Sequence, residues 1–150
     1  MTLYVNDDGT AYHIYSAEEN LTLNMAELSS DYQSFTGKYI TLVPAGHNEA
    51  PAIFKQGGWY YLITFVCTGW DPNAARSFRA RSVLGPWEPL KNPCVGEGTD
   101  LTFHSQSTFI LPVAGKKRLH LHGRPLETQK PYRWPLHLAT GESGQRPAGD

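Results

Sequence analysis

Along the chain, apolar and polar positions alternate with a period of two in short runs, and the runs are separated by clusters rich in Gly, Asn, Asp and Pro. Thr2 to Val5 and Thr10 to Ser16 flank Asn6-Asp7-Asp8-Gly9, a pattern that predicts a β-hairpin closed by a tight turn. Leu21 to Leu28 has the composition of a short helix, but Leu21, Leu23 and Met25 alternate with Thr22 and Asn24, so a third strand is expected. Phe35-Thr36-Gly37 reads as a turn into a fourth strand, Lys38 to Val43.

The pattern then recurs. Ala52 to Lys55, the turn Gln56-Gly57-Gly58 and Trp59 to Val66 form a second hairpin, with Trp59-Tyr60-Tyr61-Leu62-Ile63 standing where Ala11-Tyr12-His13-Ile14-Tyr15 stand in the first. The run from Trp59 to Val66 is aromatic or aliphatic at nearly every position, which predicts a strand buried on both faces. Arg76 to Ser82 alternates again, and Leu84 to Leu90 parallels the fourth strand. A third unit begins at Ser105 to Leu111, turns at Ala114-Gly115-Lys116-Lys117 and returns through Arg118 to His122; Tyr132 to Leu138 is a further strand and residues 139–150 a frayed tail.

A repeat of about 50 residues with four strands is the period of propeller blades. The expected fold is therefore all-β, a partial β-propeller over residues 1–138 with blades at 2–43, 52–90 and 105–138. Three blades are too few to close a ring. Open ends of this kind expose apolar faces and strand edges, which favours a homo-oligomer formed through the open blade edges.

Composition sharpens this picture. Tyr 8, Trp 4 and Phe 6, with Gly 14 and Pro 11, describe strands and turns rather than amphipathic helices. A net charge of -1 with scattered basic residues gives no electrostatic case for nucleic acid or an anionic membrane surface. Cys67 and Cys94 lack metal-ligand spacing and read as small buried hydrophobes rather than a bridge. The first residues show neither a basic segment nor a long apolar one, and no run approaches the roughly 18 apolar residues of a membrane helix, so a soluble chain carrying no address is expected.

The candidate chemistry centres on Glu49, a lone carboxylate in a Pro-flanked loop that leads into the doubly buried hairpin. A general acid needs a raised pKa, and apolar neighbours such as Phe54, Tyr60 and Trp70 would supply it; the alternative is a solvated loop glutamate. Inverting glycoside hydrolysis needs a second carboxylate roughly 6.5–9.5 Å away. Asp7 and Asp8 are explained by their turn, Asp71 precedes Pro72 and caps a loop, and Glu97 and Asp100 carry no mark of a base, so none of these is assigned as one.

Gln106 starts the third unit in the place Glu49 takes in the second, where an amide holds a water or a sugar hydroxyl or satisfies backbone groups; His104 has the same alternatives. His120, His122 and His137 lack a convincing third ligand, so no metal and no cofactor are expected. Trp70 and Trp134 are candidate sugar-stacking rings, Trp70 the better placed in its polar loop, and Trp87 reads as an inter-blade packing residue.

Asn48-Glu49-Ala50-Pro51-Ala52-Ile53-Phe54-Lys55, Gly58 to Thr64, Cys67-Thr68-Gly69-Trp70-Asp71-Pro72-Asn73-Ala74, Gly85-Pro86-Trp87 and Phe103-His104-Ser105-Gln106-Ser107-Thr108 together resemble glycoside hydrolase family 43. The likeness is to its exo-β-1,3-galactanase (galactan 1,3-β-galactosidase) branch, over roughly residues 2–122. It implies a five-bladed propeller of inverting enzymes acting on β-1,3-galactan at a central channel, in a family whose members are usually secreted or periplasmic. Glu49 would be the general acid, and Gln106 would stand near the attacking water in place of a carboxylate base. Asn48, Thr68 and Asn73 would surround the terminal sugar, with Trp70 near it.

Two departures bear on this. The family has a further blade ahead of the strand at Thr2, carrying an acidic residue that tunes the acid, and the pattern fades after Gly123, which suggests a truncated form. A three-blade channel is open and wet, conditions that weaken electrostatic preorganisation. The competing reading is a catalytically weak carbohydrate-binding or structural fragment that self-assembles; an unrelated β-sandwich is disfavoured by the matched hairpins.

Overall fold

The computed structural model describes residues 1–43, 46–112, 119–126 and 132–136. It is built from antiparallel meanders in which each strand pairs with its neighbour in sequence. The first sheet holds β1 (Thr2–Val5), β2 (Ala11–Ala17), β3 (Thr22–Leu28) and β4 (Phe35–Val43). The second holds β5 (Asn48–Gln56), β6 (Trp59–Val66), β7 (Arg76–Ala80) and β8 (Glu88–Leu90). A 3₁₀ segment, Thr99–His104, leads into the third sheet of β9 (Ser105–Pro112), β10 (Leu119–Pro125) and β11 (Tyr132–Leu136).

The first turn shows how local chemistry starts a sheet. Gly9 adopts φ 84°, a conformation costly for any residue with a Cβ, and its N–H donates to the Asn6 carbonyl at 2.9 Å. Asp8 accepts the Thr10 N–H at 2.9 Å, and that bond holds its carboxyl below the usual carboxylate range. The second turn, at Gly57 and Gly58, also has positive φ at both positions.

Period-two alternation distributes the core. On β6, Tyr60 and Leu62 join Tyr12, Ile14, Leu23, Met25 and Leu42 of the first sheet, whereas Tyr61, Ile63 and Phe65 join Ala52, Phe54 and Ala75 with Ile110 of β9. The middle sheet is therefore buried on both faces, as its apolar run predicts. Trp87 packs against the cluster shared with the first sheet. Cys67 and Cys94 are free and half-buried, Cys94 lying against the core.

Three expectations change. β4 runs from Phe35, so Phe35-Thr36-Gly37 belongs to the strand, paired through Phe35 with Leu28. The second sheet begins at Asn48, not residue 52, which puts Glu49 inside a strand rather than in a loop. The fourth strand of that sheet is only Glu88–Leu90. The third sheet has the three strands expected of it among the described residues, the last described over Tyr132–Leu136, with residues 137 and 138 outside the described residues. The turn at Ala114 to Lys117 and the tail 139–150 lie outside the described residues.

The outer face of the first sheet is apolar and exposed: Leu3, Val5, Phe35 and Tyr39 are all more than half accessible. On the far side, Phe109 and Leu111 of β9 are exposed too. Among the described residues no helix is long and apolar enough to cross a membrane.

If β6 joins two separate interfaces, Leu62→Ala and Ile63→Ala should each cost about 2–5 kcal/mol in urea unfolding. Leu84→Ala, at an exposed turn, should stay within about 0.5 kcal/mol of the parent. Equal small effects at all three positions would contradict the two-interface arrangement.

Candidate active site

β5 runs between the strands of the first sheet on one side and β9 on the other. At its start Asn48 pairs with Val66 and Glu49 with Phe65, after which the register shifts before Ala52 meets Ile63. Three residues on β5 thus oppose two on β6, a β-bulge. Ala50 absorbs it with φ 47°, and Pro51, which has no N–H to give a ladder, is buried within it. Glu49 and Ala52 are an odd number of residues apart, so strict alternation would put them on opposite faces; the extra residue lets both face the third sheet.

Two side chains of β9 close on this bulge. Gln106 Nε2 donates to Glu49 Oε1 at 2.5 Å, joining residues 57 apart in sequence, and Ser107 Oγ donates to the Ala50 carbonyl at 2.7 Å. The approach needs Gly123: a Cβ there would come within 2.9 Å of Ser105 Oγ and 3.1 Å of the Gln106 carbonyl oxygen. Glu49 is half-buried. Two of its expected apolar neighbours make their contacts elsewhere: Phe54 stacks on Tyr61 at 5.1 Å and the Tyr60 hydroxyl donates to Asn6 Oδ1 at 2.8 Å.

Asn48 is fully buried and anchors the other side of β5. Its N–H donates to the Asn20 carbonyl at 3.0 Å and its carbonyl accepts Ser16 Oγ at 2.8 Å. Its Oδ1 accepts Thr64 Oγ1 at 3.0 Å and Arg76 Nη1 at 3.2 Å, and the same Nη1 donates to the Gly46 carbonyl at 2.9 Å. Nδ2 of Asn48 has no partner among the described residues.

The loop after β6 is closed from within. Asn73 Oδ1 accepts the Val66 N–H at 3.2 Å, and Nδ2 donates to the Val66 carbonyl at 2.9 Å and to Thr68 Oγ1 at 2.7 Å. Thr68 Oγ1 in turn donates to the Asp71 carbonyl at 2.6 Å. Thr68 and Asn73 therefore shape the loop that carries Trp70, a residue 72% exposed. His104 is exposed, and its carbonyl accepts the Leu126 N–H at 3.0 Å.

Of the candidate partner carboxylates, Asp7 pairs with Lys55 at 2.6 Å, at the opposite end of β5 and about 20 Å along the strand from Glu49. None of the ion pairs among the described residues involves Glu49, Asp71, Glu97 or Asp100. Among the described residues no three His, Cys, Asp or Glu side chains could hold a metal; His120 and His122 lie on β10, and His137 lies outside the described residues. Sequence does not mark Arg76 or Ser107 as site residues, and it marks Cys67 only as a small buried hydrophobe. Cys67 continues the ladder by donating its N–H to the His47 carbonyl at 3.1 Å, which puts it diagonal to Glu49 on one face. Burial pushes its thiol up to about 11, and the charge and acceptor oxygens of Glu49 push the same way.

The model of glycosyl hydrolases family 43 matches residues 1–126. A GH43 β-1,3-galactosidase solved with galactodeoxynojirimycin is 55% identical, with a TM-score of 0.83 over 90% of this chain and 41% of its own. An exo-β-1,3-galactanase of Phanerochaete chrysosporium, solved as a variant with β-1,3-galactotriose, is 26% identical with a TM-score of 0.78 over 93% of this chain and 33% of its own. The β-D-galactofuranosidase xynD of Aspergillus niger is 30% identical over 105 residues, 65% of this chain and 30% of that protein. The chain thus spans less than half the length of each of these relatives.

The contact between Cys67 and Glu49 has a titration consequence. In a Cys94→Ala background, Cys67 should react slowly with a disulfide reagent below pH 9, because little thiolate is present. Glu49→Gln removes the neighbouring charge, lowers the thiol pKa and should speed labelling. Unchanged labelling kinetics between pH 7 and 10 would mean that the two side chains do not meet.

Proposed function

The chain belongs to glycosyl hydrolase family 43, and from that premise we propose that it carries the acid-bearing half of an inverting exo-β-1,3-galactanase site. The observation that carries this reading is the hydrogen bond from Gln106 to Glu49 across β9 and β5. Gln106 Nε2 can only donate, so Glu49 Oε1 is an acceptor and the acid's proton belongs on Oε2, facing the glycosidic oxygen. With its amide nitrogen held, Gln106 is left with Oε1 as the acceptor it offers to the attacking water. Attack by that water on the terminal galactose forms the new C–O bond as the bond to the leaving galactan chain breaks; the leaving oxygen takes the proton from Glu49, and the proton shed by the water passes to solvent, from which Glu49 is reprotonated.

Asn48, Thr68, Trp70, Asn73 and His104 frame the terminal galactose in this reading. Trp70 offers an exposed face on which a sugar's C–H surface stacks. The buried Nδ2 of Asn48 is the donor still available to a sugar hydroxyl. Thr68 and Asn73 act by holding the Trp70 loop in shape. The three sheets correspond to three blades of a five-bladed propeller, and the substrate is a β-1,3-linked galactan attacked from its end.

A second reading draws on the exposed apolar faces: a catalytically weak carbohydrate-binding or structural fragment whose copies cover one another's Leu3-Val5-Phe35-Tyr39 and Phe109-Leu111 surfaces.

A galactan reducing-end assay separates the two. Glu49→Gln should lower galactose release about 10²–10⁴-fold, and Gln106→Leu should lower it with little change in stability. Equal background release by parent and Glu49→Gln would exclude catalysis by Glu49. Light scattering at micromolar concentration tests the second reading, which a stable, well-folded monomer would rule out.

A further inference from the structure

Thr102, Phe103 and His104 take φ values of 45°, 55° and 55° in succession, a left-handed run without a glycine in it. A β-branched residue such as Thr102 is among the least suited to that region, and such conformations persist only where the surroundings hold them. The holding bonds are all present. Thr102 is fully buried and its Oγ1 donates to the Asn73 carbonyl at 2.7 Å. Ser105 Oγ donates to the Thr102 carbonyl at 2.8 Å, Phe103 N–H to the Gly98 carbonyl at 2.9 Å, and Leu126 N–H to the His104 carbonyl at 3.0 Å.

What this segment joins gives the strain a purpose. Gln106 follows two residues after His104. Asn73 is the residue whose side chain closes the Trp70 loop through Val66 and Thr68. A straight extension of β9 would leave the Asn73 carbonyl without its Thr102 partner.

We propose that Thr102 is a positioning residue: its hydroxyl, held by the left-handed turn, couples the Trp70 loop to the strand carrying Gln106, so that the sugar platform and the water-holding amide move as one unit. This rests on the galactanase reading for the meaning of the two coupled parts, although the coupling itself is a property of the fold.

Thr102→Val keeps the β-branched shape and removes only the hydroxyl; Thr102→Ser keeps the hydroxyl. In hydrogen–deuterium exchange, Thr102→Val should speed exchange of the amides from Cys67 to Asn73 about fivefold, the order expected for one lost hydrogen bond. Thr102→Ser should leave them near the parent rate, and β2 and β6 should be unchanged in both. No change in the loop, or a uniform rise along the chain, would overturn the proposal.

Should Thr102→Val not fold, the parent protein decides: in rising urea, amides of the Trp70 loop and of Ser105 to Ser107 should open with one shared denaturant dependence, and separate dependences would sink the coupling. Titration with β-1,3-galactobiose forms the second arm. Binding weakened about fivefold in Thr102→Val and restored in Thr102→Ser supports the proposal, and equal binding in both counts against it. A parent that binds no galactobiose counts against the galactanase reading and leaves the exchange result to judge Thr102.

Discussion

The central strand β6 has no solvent face. Tyr60 and Leu62 are packed against the first sheet and Tyr61, Ile63 and Phe65 toward the third, so the side taken by each residue of β5 is set by its register against β6. Slipping that register by one would turn the whole set over and bury the wrong side chains, a penalty spread over both interfaces. Glu49 faces β9 because Phe65, directly opposite, belongs to the cluster shared with β9. The bulge at Ala50 and Pro51 then restores the facing of Ala52 and Phe54 without moving Glu49. The position of Glu49 beside β9 is thus inherited from the core.

The polar groups near the bulge reinforce this in a divided way. Asn48 ties β5 to the first sheet through Ser16 and Asn20, and to its own sheet through Thr64 and Arg76. One and two residues on, Glu49 and Ala50 tie β5 to the third sheet through Gln106 and Ser107. Backbone freed from the ladder by a bulge must be satisfied elsewhere. At Ala50 the carbonyl is satisfied by a side chain of the neighbouring sheet, so the irregularity that aims Glu49 is also what joins two sheets.

Much of this was legible in the sequence, and the limits have physical causes. The hairpins at Gly9 and Gly57-Gly58, the strand at Leu23 and Met25, and the double burial of Trp59 to Val66 follow from turn residues and alternation, which are local. The Pro-flanked stretch around Glu49 predicts a loop, but Pro51 sits in a bulge within β5, and proline in a sequence does not distinguish a loop from a bulge. Phe35-Thr36-Gly37 misled for a related reason, since glycine at φ 91° is tolerated inside an edge strand. The equivalence of Glu49 and Gln106 as strand starts is legible, whereas the hydrogen bond between them joins residues 57 apart and has no local signal. Arg76, Ser107 and Thr102 could not be read, because each bonds to a backbone carbonyl far away in sequence, and no local pattern marks which carbonyl a bulge or a closed loop will leave free.

The outer face of the first sheet bears on assembly. Leu3, His13, Ala26 and Tyr39 lie in one register row across it, and the matching row of the middle sheet, Ile53, Leu62 and Phe78, is packed against its neighbour. His13 sits between Tyr15 and Phe35 at ring distances of 5.0 and 6.0 Å, and burial holds its imidazole below the usual range, favouring the neutral form an apolar cover requires. A face patterned like a packed one is suited to being covered by another sheet. β1, the first strand of that sheet, lies beside β5, so a cover on the first sheet would adjoin the strand that carries Glu49. The surface suited to another sheet and the junction of β5 with β9 are therefore two sides of one arrangement, joined through the core that fixes the register of β5.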